Sequence, residues 1–256
     1  QLSLINDFLF SINSHNFSRL YFLTLTSSGI STRLLAGKSV NTFFYAIGGG
    51  YNNRPGVGPK VITRYASLLG FGEKTGIDLP NEASGSVPDI EQGTSDGDRW
   101  YQGDTYNLSI GQGALLVTPL QIARYTAFFA NGGSLYTPRI VQKIQPQNRP
   151  ERVTSPTTAD GIRISKKTIN LIREGMRQTV VAGTAQSLRV LTVSSGGKTG
   201  TAQFSNSMQP HSWFTAFAPY DQPSLVLSVI VEKGGDRGLA VSAVRDVLQW
   251  YFRENL

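Results

Sequence analysis

The chain has no cysteine. That excludes disulfide frameworks, thiolate metal sites, haem-thiolate ligation and any cysteine nucleophile. Histidine is nearly absent too: only His15 and His211 occur in 256 residues, too few for a multi-histidine metal centre or a relay of imidazoles. Acid and base chemistry near neutral pH therefore falls to lysine, carboxylates or tyrosine. Long apolar runs are missing as well. Leu20 to Leu25 and Leu225 to Val231 are the longest candidates, far short of the roughly 20 residues a membrane span needs. If the natural protein is membrane-anchored, its anchor is expected outside this chain. Charged residues make up only 16%, and the balance is +7. Its bases stand singly, with Lys166-Lys167 the only adjacent pair, and no basic arm or run points to nucleic acid.

A chain of this length can bury a proper core, and the sequence divides near Leu35. Residues 1–35 hold seven serines, eight leucines, four phenylalanines and three asparagines, with no alanine, valine, lysine, glutamate or proline. They are expected to be atypical, either out of frame or disordered. Beyond them the patterns are conventional. Asn41 to Ile47 and Val61 to Leu69 read as helices that stop at glycines. Residues 80–105 read as a long surface excursion. Thr118-Pro119 opens a helix through Ala130, with threonine as N-cap and proline at the first helical position, closed by Asn131-Gly132-Gly133. Another helix runs from Lys166 to Val181 with Ile169, Ile172, Met176 and Val180 on one stripe. Strands are expected at Arg139 to Ile144, Val190 to Ser194, across Lys198-Thr199-Gly200-Thr201, at Trp213 to Ala218 and at Leu225 to Val231. A terminal amphipathic helix carries Val241, Val244, Val247, Leu248, Tyr251 and Phe252 on one face. The fold class is α+β, an antiparallel sheet covered by helices, built mainly from residues 139–144 and 190–232.

Gly37-Lys38-Ser39 and Gly197-Lys198-Thr199 match the end of a phosphate loop, but the glycine such a loop needs five residues earlier is Thr32 in one case and Thr192 in the other. A Gly-x-Ser-x-Gly pentapeptide does not occur. His211, in HSWFTAFAP, reads as a residue at a strand entrance. What is left is serine chemistry run by lysine, in which a lysine in a partly desolvated cleft accepts or relays a hydroxyl proton. Ser39-Val40-Asn41 and Lys198-Thr199-Gly200-Thr201 offer the parts. The threonine hydroxyls recur with period two on one strand face, and Gly196 and Gly197 leave room for an extended peptide at the strand edge. The plainer readings are a helix N-cap for Ser39 and Asn41 and a solvated strand lysine for Lys198.

KSVNTFFYAIG, GFGEKTGIDLPNEASGSVP, YNLSIGQGALLVTPLQIARYTAFFANGG, GGKTGTAQ and HSWFTAFAP, in this order over residues 36–256, resemble the transpeptidase domain of class B penicillin-binding proteins of the elongation type. The resemblance implies a serine β-lactamase and D,D-peptidase fold. It implies that Ser39 passes protons toward a leaving amine, that Asn41 holds a substrate carbonyl, and that Lys198 supplies positive potential and steadies Ser39. Thr199 and Thr201 would bind the carboxylate of a D-Ala-D-Ala stem peptide or a β-lactam, with Gly200 between them, and the Thr201 N–H would form half of an oxyanion hole. It implies a place on the periplasmic side of a bacterial inner membrane, a polytopic glycosyltransferase as partner, and no metal or organic cofactor.

One family motif is missing. Among all serines only Ser195 has lysine three places on, at Lys198, and that pair overlaps a strand motif, whereas the acylated serine of Ser-x-x-Lys belongs at a helix start. Two explanations stand: a carboxy-terminal piece whose first stretch is out of frame or badly joined, or a degenerate relative that binds stem peptides or a partner without turnover. The composition change near Leu35 favours the first. Either way no acyl adduct is expected. A D,D-carboxypeptidase or β-lactamase is the remaining alternative, and it too needs that serine.

Overall fold

A computed structural model describes residues 32–92, 99–147, 149–159, 162–203 and 209–254; His15 and nearly all of the atypical segment lie outside them. In chain order come α1 (Thr32–Gly37), α2 (Asn41–Gly49), a small hairpin of β1 (Gly50–Tyr51) and β2 (Arg54–Pro55), α3 (Pro59–Leu68), α4 (Gln102–Ser109) and α5 (Pro119–Ala130). A second hairpin of β3 (Lys143–Ile144) and β4 (Arg152–Val153) precedes α6 (Lys166–Val181) and a 3₁₀ turn (Gln186–Val190). Strands β5 (Gly196–Ala202), β6 (His211–Ala218) and β7 (Leu225–Val231) and helix α7 (Leu239–Glu254) complete it.

The three long strands form one antiparallel sheet in the order β5-β6-β7. The middle strand is buried on both faces, and its period of two divides the core. Trp213 and Phe217 pack with Ile122, Tyr125, Phe128 and Phe129 of α5 and with Ile169, Ile172 and Met176 of α6. Phe214, Ala216 and Ala218 pack instead against Ala240, Val241, Val244 and Leu248 of α7. Helices thus cover both faces, which explains why β6 reads as a nearly continuous apolar run. Thr215, a polar residue within this run, is satisfied twice: its hydroxyl donates to the Leu227 carbonyl at 2.9 Å and meets the Thr126 hydroxyl at 2.8 Å.

Local chemistry sets the helix limits. Thr118 and Gln121 form a reciprocal capping box, with Gln121 N–H donating to Thr118 Oγ1 at 3.1 Å and Thr118 N–H to Gln121 Oε1 at 2.8 Å. Asn131 Oδ1 ends the same helix by accepting from the N–H groups of Gly133 and Ser134. The expected helices at 118–130 and 166–181 form as read, and those beginning near Asn41 and Val61 run Asn41–Gly49 and Pro59–Leu68. In the surface excursion, Glu82 accepts from the Thr75 hydroxyl and N–H and from the Gly76 N–H. Burial pushes its carboxyl upward, but these bonds outweigh that and hold it below the usual range.

Three expectations need correction. Residues 139–144 do not join the main sheet: only Lys143–Ile144 pairs, with Arg152–Val153, in a separate exposed hairpin. The N–H groups of Ile140 and Val141 are taken by the Asp78 carboxylate, at 2.7 and 2.8 Å, in place of a strand partner. Residues 190–194 are not a strand either. Val190 ends a 3₁₀ turn fixed by Leu188 N–H to Ala185 O and Leu191 N–H to Leu188 O, with Leu188 buried. On α7, Val247 turns outward at 40% exposure while Val241, Val244, Leu248 and Phe252 face the sheet. Three residues past Val244 brings the chain round only 300°, onto the flank of the stripe.

Candidate active site

The turn between α1 and α2 presents Ser39. Lys38, Ser39 and Val40 donate their N–H groups back to Leu34, Ala36 and Leu35, wrapping the end of α1. Ser39 itself is left-handed, with φ 53°, a conformation uncommon for any residue but glycine and associated with functional turns. Val40, not Ser39, occupies the N-cap position of α2, and no side chain caps that end. The Ser39 hydroxyl is therefore not spent on the helix, and Asn41 stands exposed beside it.

Lys198 lies on β5 and is wholly buried, at 0% exposure, so the solvated-lysine reading fails. Its Nζ donates to Ser39 Oγ and, at 3.0 Å, to the Thr199 carbonyl. An ammonium carried by the sheet and a hydroxyl carried by a helix turn 159 positions away thus meet directly. Thr199, next to Lys198 in the strand, is half-buried, and Thr201 is exposed. Gly200 is buried between them, opposite Trp213 on β6.

Small residues make the approach possible. A Cβ on Gly183 would lie 2.1 Å from the Gly37 carbonyl oxygen, and one on Gly37 would lie 2.9 Å from the Gln178 carbonyl carbon. The end of α1 therefore docks backbone to backbone on the end of α6, where Thr184 N–H also donates to Gly37 O at 3.3 Å. Gly196 and Gly197 serve a different purpose from the one expected. A Cβ at Gly196 would meet the Phe217 ring at 2.9 Å, and one at Gly197 would meet the Phe214 ring and the Thr215 carbonyl at 2.6 Å. They make room for the sheet's own aromatic rings rather than for a ligand at the strand edge.

Two residues outside the Ser-x-Asn and Lys-Thr-Gly motifs also reach the site, one of them, Gln112, from the run that begins at Tyr106. Thr184 shares a 2.7 Å hydroxyl contact with Thr199, and Gln112 Nε2 donates to the Thr201 carbonyl at 2.8 Å. Each sits beside glycine in the sequence, in Gly183-Thr184 and Gly111-Gln112-Gly113, the one local hint of a shaped turn. Other serine and histidine candidates do not join the groove. Ser195 is buried, and among the described residues its hydroxyl has no hydrogen-bond partner; its carbonyl accepts from Arg177 at 2.8 Å. His211 Nδ1 accepts from the Lys233 N–H at 3.0 Å, an anchor for the turn after β7.

The assembled surface is an edge strand bearing a buried ammonium and a row of hydroxyls. Hydroxyls donate well to an anionic oxygen, an ammonium favours it further, and an open strand edge offers main-chain partners to an extended chain. Among the described residues no group of carboxylates and imidazoles that would hold a metal ion occurs.

Comparison with known proteins gives a consistent result. Residues 24–249 match the model of the penicillin binding protein transpeptidase domain. The peptidoglycan D,D-transpeptidase MrdA of Acinetobacter baumannii is 31% identical over 235 residues, covering 83% of this chain and 33% of the relative. The MrdA of Haemophilus influenzae is 30% identical over 238 residues, covering 86% and 36%. The chain thus spans about a third of the length of these curated relatives. Among solved structures, penicillin-binding protein 2 of Helicobacter pylori is similar with a TM-score of 0.71 at 32% identity, over 89% of this chain and 41% of that one. The same protein, solved in complex with MreC, gives a TM-score of 0.70.

Proposed function

The chain belongs to the penicillin-binding protein transpeptidase family, and from that premise we propose that residues 36–256 form the stem-peptide groove of a peptidoglycan D,D-transpeptidase. The bond from Lys198 Nζ to Ser39 Oγ carries this reading, because it joins the two motifs in one cleft. The carboxylate of a D-Ala-D-Ala terminus lies against the hydroxyls of Thr199 and Thr201, drawn by the Lys198 ammonium. Asn41 holds a substrate carbonyl through its amide. Thr201 N–H donates to the penultimate carbonyl oxygen, a contact that strengthens as negative charge develops there.

In the complete reaction a serine hydroxyl adds to the penultimate D-Ala carbonyl, the peptide C–N bond breaks, and terminal D-Ala leaves as an amine that takes a proton. An amine from a neighbouring stem then attacks the ester and releases the serine. Ser39, hydrogen-bonded to Lys198, relays the proton to the leaving amine. The attacking serine is not supplied by this sequence: Ser195 is the only serine followed by lysine at the third place, and it is buried. A carboxypeptidase or β-lactamase needs the same nucleophile, so neither reading gains from its lack.

The polypeptide is therefore expected to bind stem peptides and β-lactams reversibly without acylation. Incubation with a fluorescent penicillin followed by denaturing electrophoresis should leave the 27.9 kDa band dark. A labelled band that Ser195→Ala abolishes contradicts the assignment. In the cell the natural substrate is peptidoglycan on the periplasmic side of the inner membrane. Among the described residues no helix is long and apolar enough to cross it. A polytopic glycosyltransferase is the partner that family analogy favours, and the complex of the Helicobacter protein with MreC supports protein partners in general.

A further inference from the structure

Gln112 sits in a turn whose flanking glycines are both left-handed, Gly111 at φ 69° and Gly113 at φ 78°. Its own N–H donates to Asn107 O at 2.9 Å. The side chain leaves this fixed base and donates to Thr201 O at 2.8 Å. Strand β5 is the first in the order β5-β6-β7, so among the described residues only one of its edges is paired. In an antiparallel ladder the N–H and C=O of one residue point to the same side, and sides alternate along the strand. A Thr201 carbonyl bonded by a group outside the sheet therefore faces the open edge, and Thr199 faces it too.

Two neighbouring edge acceptors are thus engaged by the protein's own side chains, Thr199 O by Lys198 and Thr201 O by Gln112. The two donors are unlike. Lys198 is buried and is held at Ser39 as well. Gln112 is only partly buried, and its amide bond to Thr201 lies in the exposed part of the groove. An amide N–H at that point stands where the N–H of an added strand would stand. In a directly paired position two residues exchange both hydrogen bonds. A ligand residue whose carbonyl accepts from Thr201 N–H therefore offers its own N–H to Thr201 O, the atom that Gln112 holds.

We infer that Gln112 is a displaceable cap on the strand edge, a positioning residue that keeps the acceptor formed in the empty groove and yields it to the N–H of an extended peptide. The inference rests on the stem-peptide reading of the groove. Gln112 then sets a selection rule: a ligand has to bring a main-chain donor to offset the amide it removes, which favours extended peptides over bare carboxylates.

The test uses the whole chain and N-acetyl-L-Lys-D-Ala-D-Ala as probe. Gln112→Met keeps the side-chain length and removes the donor. It should bind the probe about two- to tenfold more tightly, the span of one ordinary hydrogen bond that no longer has to be broken, with the thermal midpoint unchanged. In the unaltered protein, the Gln112 side-chain amide signal in a ¹⁵N spectrum should move toward the position of a solvated amide as probe is added. Weaker or unaltered binding by Gln112→Met, with Thr201→Val still reducing affinity, overturns the cap and leaves the groove reading intact. Failure of every variant and of the unaltered protein to bind the probe overturns both.

Discussion

Lys198→Met is expected to leave the fold standing and to lower affinity for a carboxylate-ended peptide at least tenfold. Lys198 is among the largest fully buried side chains of the protein, and methionine follows nearly the same path without the charge. Removing the buried ammonium removes its desolvation cost, which offsets the hydrogen bonds lost to Ser39 and Thr199. Thermal unfolding should therefore shift by only a few degrees. Binding should suffer much more. The ammonium donates to Ser39 Oγ and to Thr199 O, and it is the cation placed beside the threonine hydroxyls. Hydrogen bonds that involve a charged group are worth about 1.5–3 kcal/mol, and every 1.4 kcal/mol is a factor of ten in affinity. Lys198→Arg should not restore binding, since a planar fork does not fit a point contact within a packed sheet. Unchanged affinity in Lys198→Met, measured by calorimetric titration, would remove the ammonium from the account.

The second large effect comes from Gly183→Ala. The added methyl would stand 2.1 Å from the Gly37 carbonyl oxygen and 2.7 Å from the Thr179 Cα. Both are backbone atoms, so no side-chain rotation relieves the clash. Overpacking of this kind costs about 1–3 kcal/mol, occasionally more. The relief available is for the end of α1 to swing away from α6, which carries Ser39 off Lys198. Gly183→Ala should thus lose stability and peptide affinity together. Gly103→Ala is the matched control: nothing lies within 4 Å of its added methyl, and on helix α4 the change should be neutral or stabilising by up to about 1 kcal/mol. Denaturant unfolding of the pair decides the matter. Equal stability of the two variants would show that the α1 to α6 contact does not brace the site.

Features whose cause is local are legible in the sequence itself. The stripe Ile169, Ile172, Met176 and Val180 marks α6, and Thr118-Pro119 marks the start of α5, because periodicity and capping act within a few residues. The main candidate residues are legible too, since Ser39-Val40-Asn41 and Lys198-Thr199-Gly200-Thr201 are contiguous motifs. What escapes depends on distant partners. The residues around Ile140 have strand composition, but the Asp78 carboxylate takes their N–H groups. Val190 and Val193 suggest a strand, yet the chain there is ordered by a 3₁₀ turn over buried Leu188. Thr184 joins the groove through a single hydroxyl contact with Thr199, and nothing in its own neighbourhood encodes that partner; Gln112 reaches Thr201 from the 106–113 loop, whose place beside the cleft is legible only through the family resemblance.

Every role assigned to the groove presupposes that Lys198, Thr199 and Thr201 together receive a carboxylate. Calorimetric titration of the chain with N-acetyl-L-Lys-D-Ala-D-Ala and with the same peptide ending in a carboxamide isolates that feature, because the two ligands differ only at the terminus. The acid should bind at least tenfold more tightly than the amide, with the difference shrinking at high salt as charge is screened. Equal affinity for acid and amide would contradict the account at its centre.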